Sequence, residues 1–400
     1  MFNKKEIIFF GDVNNCLLSV ANMLSKKNYP IKYLPALDLQ QHFRIYDFLP
    51  LNNYDISNFT EFSNFTIKRS KSSLNVFKEF FKHRKRSDYL LIGCDYAPMV
   101  AEFIGNKLDY FVVTGADISD YPRNKFKSII KDTYQFINRN NILSSFEATK
   151  LQRAGIKNSK IISHSDGYFN ETLKELIPKS FSKAPFPIII DPEYDPSKDQ
   201  LNSEKIFIEK LIIETRKGSN YLIGLTSKIS NLKGSPIFIK GFYDFVKKRN
   251  SKAKLLLPSR GNFEDIYKSL PIMQELIENG NISVFPILSQ RGIYYLSSLV
   301  DISFGINYGD ISKHDWNTSL VQALQAKSPL ITYCPYKTLC DIKNFELYPH
   351  FQARNELEVF EGLDYFSALK NRQTHQKQIM DWNHYLYDKS YEVWSNILKN

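Results

Sequence analysis

Along most of the chain, short apolar runs alternate with stretches whose apolar residues recur at helical spacing. Glu6 to Phe10 is such a run and ends at Gly11. Residues 14–27 then carry Leu17, Leu18, Ala21 and Leu24 on one helical face, and Ile31 to Leu34 starts another extended segment. A strand, a glycine at its exit, a helix and a second strand open a parallel, doubly wound sheet. The pattern repeats: strand Tyr89–Gly93, helix 97–106, strand Tyr110–Thr114, helix near 125–137, strand Ile142–Ser144, helix 146–154 and strand Lys160–Ser163.

Residues 180–203 interrupt this rhythm with Pro185, Pro187, Pro192 and Pro196, which remove ladder donors and stop helices. A second series follows. It comprises helix 203–216, strand Tyr221–Thr226, helix 236–249, strand Ala253–Pro258, helix 264–279 and strand Ile282–Phe285, then helix 290–299, strand Ile302–Ile306, helix 317–326 and strand Leu330–Tyr333. A last helix is expected over 376–399, with Trp382, Tyr385, Leu386, Tyr391 and Trp394 on its apolar positions. The expected organisation is α/β, with two Rossmann-like domains facing a cleft: 1–184, a linker at 185–203, 204–375, and a helix 376–400 returning toward the first domain.

Composition adds to this picture mainly through charge. The 400 residues are 43% hydrophobic and 24% charged, which excludes a disordered, collagen-like or coiled-coil chain. The net charge of +11 favours anionic partners such as nucleotide phosphates, lipid headgroups or nucleic acid. It is densest at Lys68, Arg69, Lys71, Lys78, Lys82, Arg84, Lys85 and Arg86, opposed by Glu79. Over 66–86 these cations interleave with Val76, Phe77, Phe80 and Phe81. That stripe suits either docking on an anionic membrane with rings inserted, or rings packed on the sheet with the charges in water. DNA would also suit the charge, but no helix-turn-helix, zinc-finger or RNA-binding signature accompanies it.

The cysteines Cys16, Cys94, Cys334 and Cys340 form no CxxC pair, so neither a zinc knuckle nor a disulfide framework is expected, and a reducing cytoplasm suits them. Asp12, Asn14 and Asn15 break the apolar N-terminal run, which argues against a signal peptide. No stretch reaches the ~18 apolar residues of a membrane span.

The candidate chemistry lies mostly in the second half. Lys228 and Lys233 sit five apart in a loop between a strand and a helix, where both can reach one diphosphate; a solvated loop is the plain alternative. His314 and Asp315 precede Asn317, Thr318 and Ser319, which are good helix caps and would also turn free N–H groups toward a phosphate. Gln322 lies one turn inside that helix. In the first half, Asp117 in Gly115-Ala116-Asp117 either caps a turn or faces the cleft. His164 stands at a strand exit, where ligands bind such sheets, although a structural role is the commoner one for a single histidine. Asp95 and Glu102 suggest no more than surface roles.

Lys233-Gly234, Gly241-Phe242, Ala253 to Leu257, Asp301-Ile302, Ser319 to Leu324 and Pro329-Leu330-Ile331 occur in that order. Together they resemble the C-terminal domain of retaining, GT-B-fold glycosyltransferases of the glycogen synthase-like and mannosyltransferase-like group (group 1, family 4-like). The Gly11 loop, Thr114 to Ile118 and Ile190-Asp191 agree more softly. The resemblance implies that Lys228 and Lys233 hold the donor diphosphate and stabilise the leaving nucleotide. It puts His314 and Gln322 at the positions of the group's paired glutamates, which serve the donor sugar and the ribose. Asn317, Thr318 and Ser319 become helix-start contacts, and Ile287 the backbone position that meets the base.

Asp117 falls nearest the acceptor or reacting centre, so catalysis is assigned to Asp117, Lys233 and His314. Gly11, Gly115 and His164 would line the N-terminal side of the cleft. The sequence departs from the group at several places: both glutamates are replaced, Lys228 stands for an arginine, Thr114 for a histidine and Lys327 for a glycine near the helix end. Gln322 can still hydrogen-bond a ribose, and Asp315 is a carboxylate beside His314.

The implied activity is transfer of a sugar, with retention, from a nucleotide-sugar donor to a cell-surface glycan or lipid-linked acceptor. No cofactor and no metal are expected, and the protein would be cytoplasmic, peripheral at the inner face of the plasma membrane. Two rival readings are a glucosyltransferase acting on DNA and a degenerate GT-B protein that binds nucleotide or glycan without transfer; an epimerase of the same fold has less support.

Overall fold

The computed structural model describes residues 5–10, 16–34, 78–95, 97–113, 145–163, 181–185, 189–198, 201, 203–305, 318–333 and 346–399. In the first half, β1 (Glu6–Phe10), α1 (Cys16–Lys26), β2 (Ile31–Leu34), β3 (Tyr89–Gly93), α2 (Ala97–Phe103), β4 (Tyr110–Val112), α3 (Ser145–Asn158), β5 (Lys160–Ser163) and β6 (Ser182–Lys183) build a parallel sheet of order β2-β1-β3-β4-β5-β6. Strands buried on both faces need continuous apolar runs, and Ile7 to Phe10 and Leu91 to Gly93 supply them. Register pairs Phe9 with Tyr33 on one side and with Ile92 on the other.

The second half holds α4 (Ser203–Arg216), β7 (Leu222–Leu225), α5 (Ser235–Lys248), β8 (Lys254–Pro258), α6 (Phe263–Ser269), α7 (Pro271–Glu278) and β9 (Ile282–Phe285). It continues with α8 (Gln290–Leu299), β10 (Ile302–Phe304), α9 (Thr318–Gln325), β11 (Leu330–Thr332), β12 (Phe351–Gln352), α10 (Glu356–Ser367) and α11 (Leu369–Lys399). Its sheet is also parallel, of order β12-β11-β10-β7-β8-β9. All described strand pairs in both sheets are parallel, so the carboxyl ends of each sheet share one rim, where ligands of such sheets bind.

Several expected elements differ in extent. The helix expected over 264–279 is two helices, because Pro271 lacks an N–H and disfavours a helical Leu270, which takes φ −124° and ψ 86°. A short sixth strand, β6, stands inside the proline-rich break. β12 and α10 extend the second half beyond the expected strand at 330–333, and the last helix begins at Leu369, earlier than expected. The helix near 125–137 and the strand Ile142–Ser144 lie outside the described residues.

The far end of α11 packs on the first half. Trp394 is fully buried with Leu17, Ile92 and Tyr110 in one cluster, and the Tyr110 hydroxyl donates to the Ile397 carbonyl at 2.9 Å. Tyr29 and Ser395 share a hydrogen bond of 3.0 Å. A second tie joins the halves through residue 191. Lys26 pairs with the Asp191 carboxylate at 2.9 Å, and Gln325 exchanges two hydrogen bonds with the Asp191 backbone.

Of the basic-aromatic stripe, residues 78–86 are described. Phe81 is buried against Phe10 and Tyr89, with Phe80 edge-on to it. Phe81 therefore fills the core, where its apolar area is better removed from water, and Phe80 packs partly buried against the same cluster. Val76 and Phe77 lie outside the described residues. Among the described residues no helix is long and apolar enough to cross a membrane.

Candidate functional site

The loop after β7 carries the two expected lysines to the carboxyl rim. Thr226 and Ser227, directly after the strand, are buried and their hydroxyls have no hydrogen-bond partner. Lys228 is exposed. Ile229 then forms an isolated bridge with Gly261 in the loop after β8. The Ile229 N–H donates to the Arg260 carbonyl at 2.9 Å, and the Asn262 N–H donates to the Ile229 carbonyl at 2.8 Å. Gly261 has φ +89°, and a Cβ there would lie 2.3 Å from the Ile229 carbonyl oxygen, so only glycine fits this approach.

Lys233 ends a 3₁₀ turn, Asn231–Lys233. Gly234, in the left-handed region at φ 69°, hands the chain to α5. The Ser235 hydroxyl accepts from the Ser230 N–H at 3.0 Å and closes the turn. Burial, followed by the neighbouring charges of Lys228 and Arg260, pulls the Lys233 ammonium down to about 8. Burial also lowers Arg260. Among the described residues no carboxylate pairs with Lys228 or Lys233. Three cations are thus held together beside unpartnered buried hydroxyls, an arrangement whose charge and donors suit an anion with oxygen acceptors. Two backbone hydrogen bonds bring Arg260 there from a separate loop, and sequence reasoning missed it because nothing local to 260 marks the pairing.

On the next strands of the rim, Gln322 is only 6% exposed and its Oε1 has no partner. The acceptor its position demanded is therefore present and unsatisfied. Lys327 follows α9 at φ 58°, a left-handed conformation that glycine adopts without cost, which accounts for the glycine the resemblance places there. Ile287, 57% exposed, stands after β9 and just before Ser289, the cap of α8. Ser289 accepts from the Gly292 N–H at 3.0 Å and gives both its N–H and its hydroxyl to Glu204. In the first turn of α8, Arg291 is 7% exposed with Nε unpartnered, and among the described residues no acid pairs with it. Sequence reading gave no hint of that buried charge.

In the first half, Asp95 corrects a sequence expectation: it is 6% exposed rather than on the surface. It follows β3 in the left-handed region at φ 49°, which an aspartate tolerates better than most residues. Gln152 holds this turn, donating to the Asp95 carbonyl at 2.8 Å and accepting from the Met99 N–H at 3.0 Å. Glu102 keeps to the surface, where it accepts from Asn158 at 2.8 Å. Gly11, Gly115, Asp117, His164, His314, Asp315 and Asn317 lie outside the described residues. Thr318 and Ser319 open α9, and their side chains are also outside the description.

Two six-stranded parallel α/β sheets, with a final helix crossing from the second half to the first, make the GT-B architecture of glycosyltransferases. No protein-family model matches the chain, and no curated protein matches it in sequence. Among solved structures it is similar to a glycosyltransferase from Rickettsia africae, at TM-score 0.54 and 14% identity over 100% of both chains. It is also similar to Anabaena HepE in complex with UDP and glucose, at TM-score 0.57 and 12% identity over 99% of this chain and 100% of that one. A third is a UDP-forming trehalose-phosphate synthase from Burkholderia xenovorans, at 0.55 and 11% over 99% of each. At these identities the likeness is one of fold.

Proposed function

We propose that the protein is a retaining glycosyltransferase that moves a sugar from a nucleotide-sugar donor to a cell-surface glycan or lipid-linked acceptor. The observation that carries this reading is the gathering of Lys228, Lys233 and Arg260 at the carboxyl rim of the second sheet, where among the described residues neither lysine has a carboxylate partner. A donor diphosphate supplies the negative charge that the two lysines lack. As the bond between the sugar C1 and the diphosphate oxygen breaks, that oxygen takes the electron pair, and the three cations stabilise the growing charge where it develops. The acceptor hydroxyl bonds to C1 from the same face and gives its proton to the departing phosphate. Because lysines and an arginine supply the positive charge, turnover without a metal belongs to the same proposal.

Gln322 offers its free Oε1 to a ribose hydroxyl, and Ile287 lies where the base would pass. On the opposite half, Asp95 joins Asp117 as an acceptor-side carboxylate. HepE in complex with UDP and glucose supports a sugar nucleotide as donor, and WaaG, a fold neighbour involved in lipopolysaccharide biosynthesis, supports a glycan acceptor. Replacement of the paired glutamates motivates the rival, binding without transfer.

One experiment separates the two. The protein is incubated with UDP-glucose and other common sugar nucleotides, and the anomeric carbon is followed by NMR. Release of nucleoside diphosphate with an α-linked product from an α-linked donor supports the proposal, and Asp95→Asn should slow turnover on the order of 10²-fold with donor binding kept. Donor binding without any turnover would favour the rival.

A further inference from the structure

A groove of about 670 Å³ opens at the amino ends of β3 and β4, the end of the first sheet away from its ligand-binding rim. Lys78, Lys82, Arg84, Arg86 and Lys107 line it, with Glu79 as the opposing acid. Its two arginines are fixed parts of the wall. Arg84 pairs with Glu6 and lies over the Phe80 ring at 4.3 Å. Arg86 donates to the carbonyls of Tyr89 and Lys107 and to Asp109 at 2.6 Å.

The lysines are differently placed. Lys82 meets Glu79 at 3.3 Å, but both are more than half exposed, so the pair is weak. Lys78 and Lys107 are exposed on either side of the groove, and among the described residues neither has an acidic partner. The other acid nearby, Asp88, is exposed and takes a hydrogen bond from Ser87. A concave wall whose five cations outnumber its acids focuses a positive field into the opening. Compact ammonium groups on flexible stems suit a phosphate as point charges. Phe81 is buried in the core and Phe80 packs against it, so binding here is electrostatic and does not use ring insertion.

We propose that this groove binds a phosphate group, presented by a lipid headgroup or by a soluble phosphate, independently of the sugar-nucleotide site on the other half. The test uses the full chain and the double variant Lys78→Glu/Lys107→Glu, whose changes are both on the surface. Binding is measured to vesicles of equal parts phosphatidylglycerol and phosphatidylcholine, to phosphatidylcholine vesicles alone, and to inorganic pyrophosphate in the presence of saturating UDP, which fills the diphosphate site proposed on the other half.

The wild type should bind the anionic vesicles or pyrophosphate, weaken steeply with salt, and ignore phosphatidylcholine alone. The double variant, with an unchanged melting curve, should lose at least on the order of tenfold in affinity. Binding to anionic vesicles without pyrophosphate identifies a headgroup, and the reverse identifies a soluble phosphate. If the wild type binds neither, or if the double variant binds as well as the wild type, the proposal is overturned. UDP binding by the same samples reads the other site separately, so the two proposals fail independently.

Discussion

The Ile229 N–H donates to the Arg260 carbonyl at 2.9 Å and stitches the lysine-bearing loop after β7 to the arginine-bearing loop after β8. That contact, with its return from Asn262, holds the Arg260 loop beside Lys228 and Lys233. It depends on Gly261, whose φ of +89° and absent side chain let the two backbones meet.

Gly261→Ala should therefore cost on the order of 1–2 kcal/mol for the left-handed backbone alone, with more from the clash at Ile229. Urea unfolding measures the first effect. Nucleotide affinity should fall beyond the loss of stability, because the Arg260 loop must move away from Lys228 and Lys233.

The lowered Lys233 value, about 8, makes two linked pH effects. In the free protein the unfolded chain holds this proton more tightly than the folded one between about 8 and the ordinary 10.5, so this group makes stability rise with pH across that window. A bound diphosphate favours the charged lysine, so affinity should fall as pH rises above about 8, and binding near that pH should take up a proton. Calorimetry in two buffers of different ionisation heat checks the uptake, and identical heats would contradict it.

Trp394 ties the last helix to the first half. Trp394→Ala removes a fully buried ring and should destabilise by about 3–5 kcal/mol. The chemical-denaturation midpoint should drop accordingly, and proteolysis should begin within α11.

Three strands coincide with their expected limits: Tyr89–Gly93, an apolar run buried almost throughout, and the shorter runs Lys160–Ser163 and Ile282–Phe285, the last an edge strand whose Val284 is 38% exposed. The α5–α10 contact was not legible in the sequence. Gly241, given only as part of the resemblance, has a physical reason in the fold: a Cβ there would meet Val359 at 2.5 Å, so the glycine makes room for a helix the local pattern did not reveal. Similarly, Lys228 and Lys233 share one loop and announce themselves by spacing. Arg260 joins them only through the pairing of Ile229 with Gly261, and Asp95 is inside only because its turn is left-handed and held by Gln152. Sequence spacing reports contacts within one element or loop, while contacts made between loops appear only when the sheet is assembled.

The most direct test of the donor site is a thermal-shift comparison of the wild type with Lys233→Met, using UDP, GDP and their common sugars. A ligand at 100 times its Kd stabilises by about 2.7 kcal/mol, well within reach of the method. One nucleotide should shift the wild type and leave Lys233→Met unmoved, while the free variant, relieved of a crowded charge, melts at or above the wild-type temperature. No shift with any nucleotide at millimolar concentration, or an equal shift in Lys233→Met, would contradict the assignment of Lys228, Lys233 and Arg260 to a donor diphosphate.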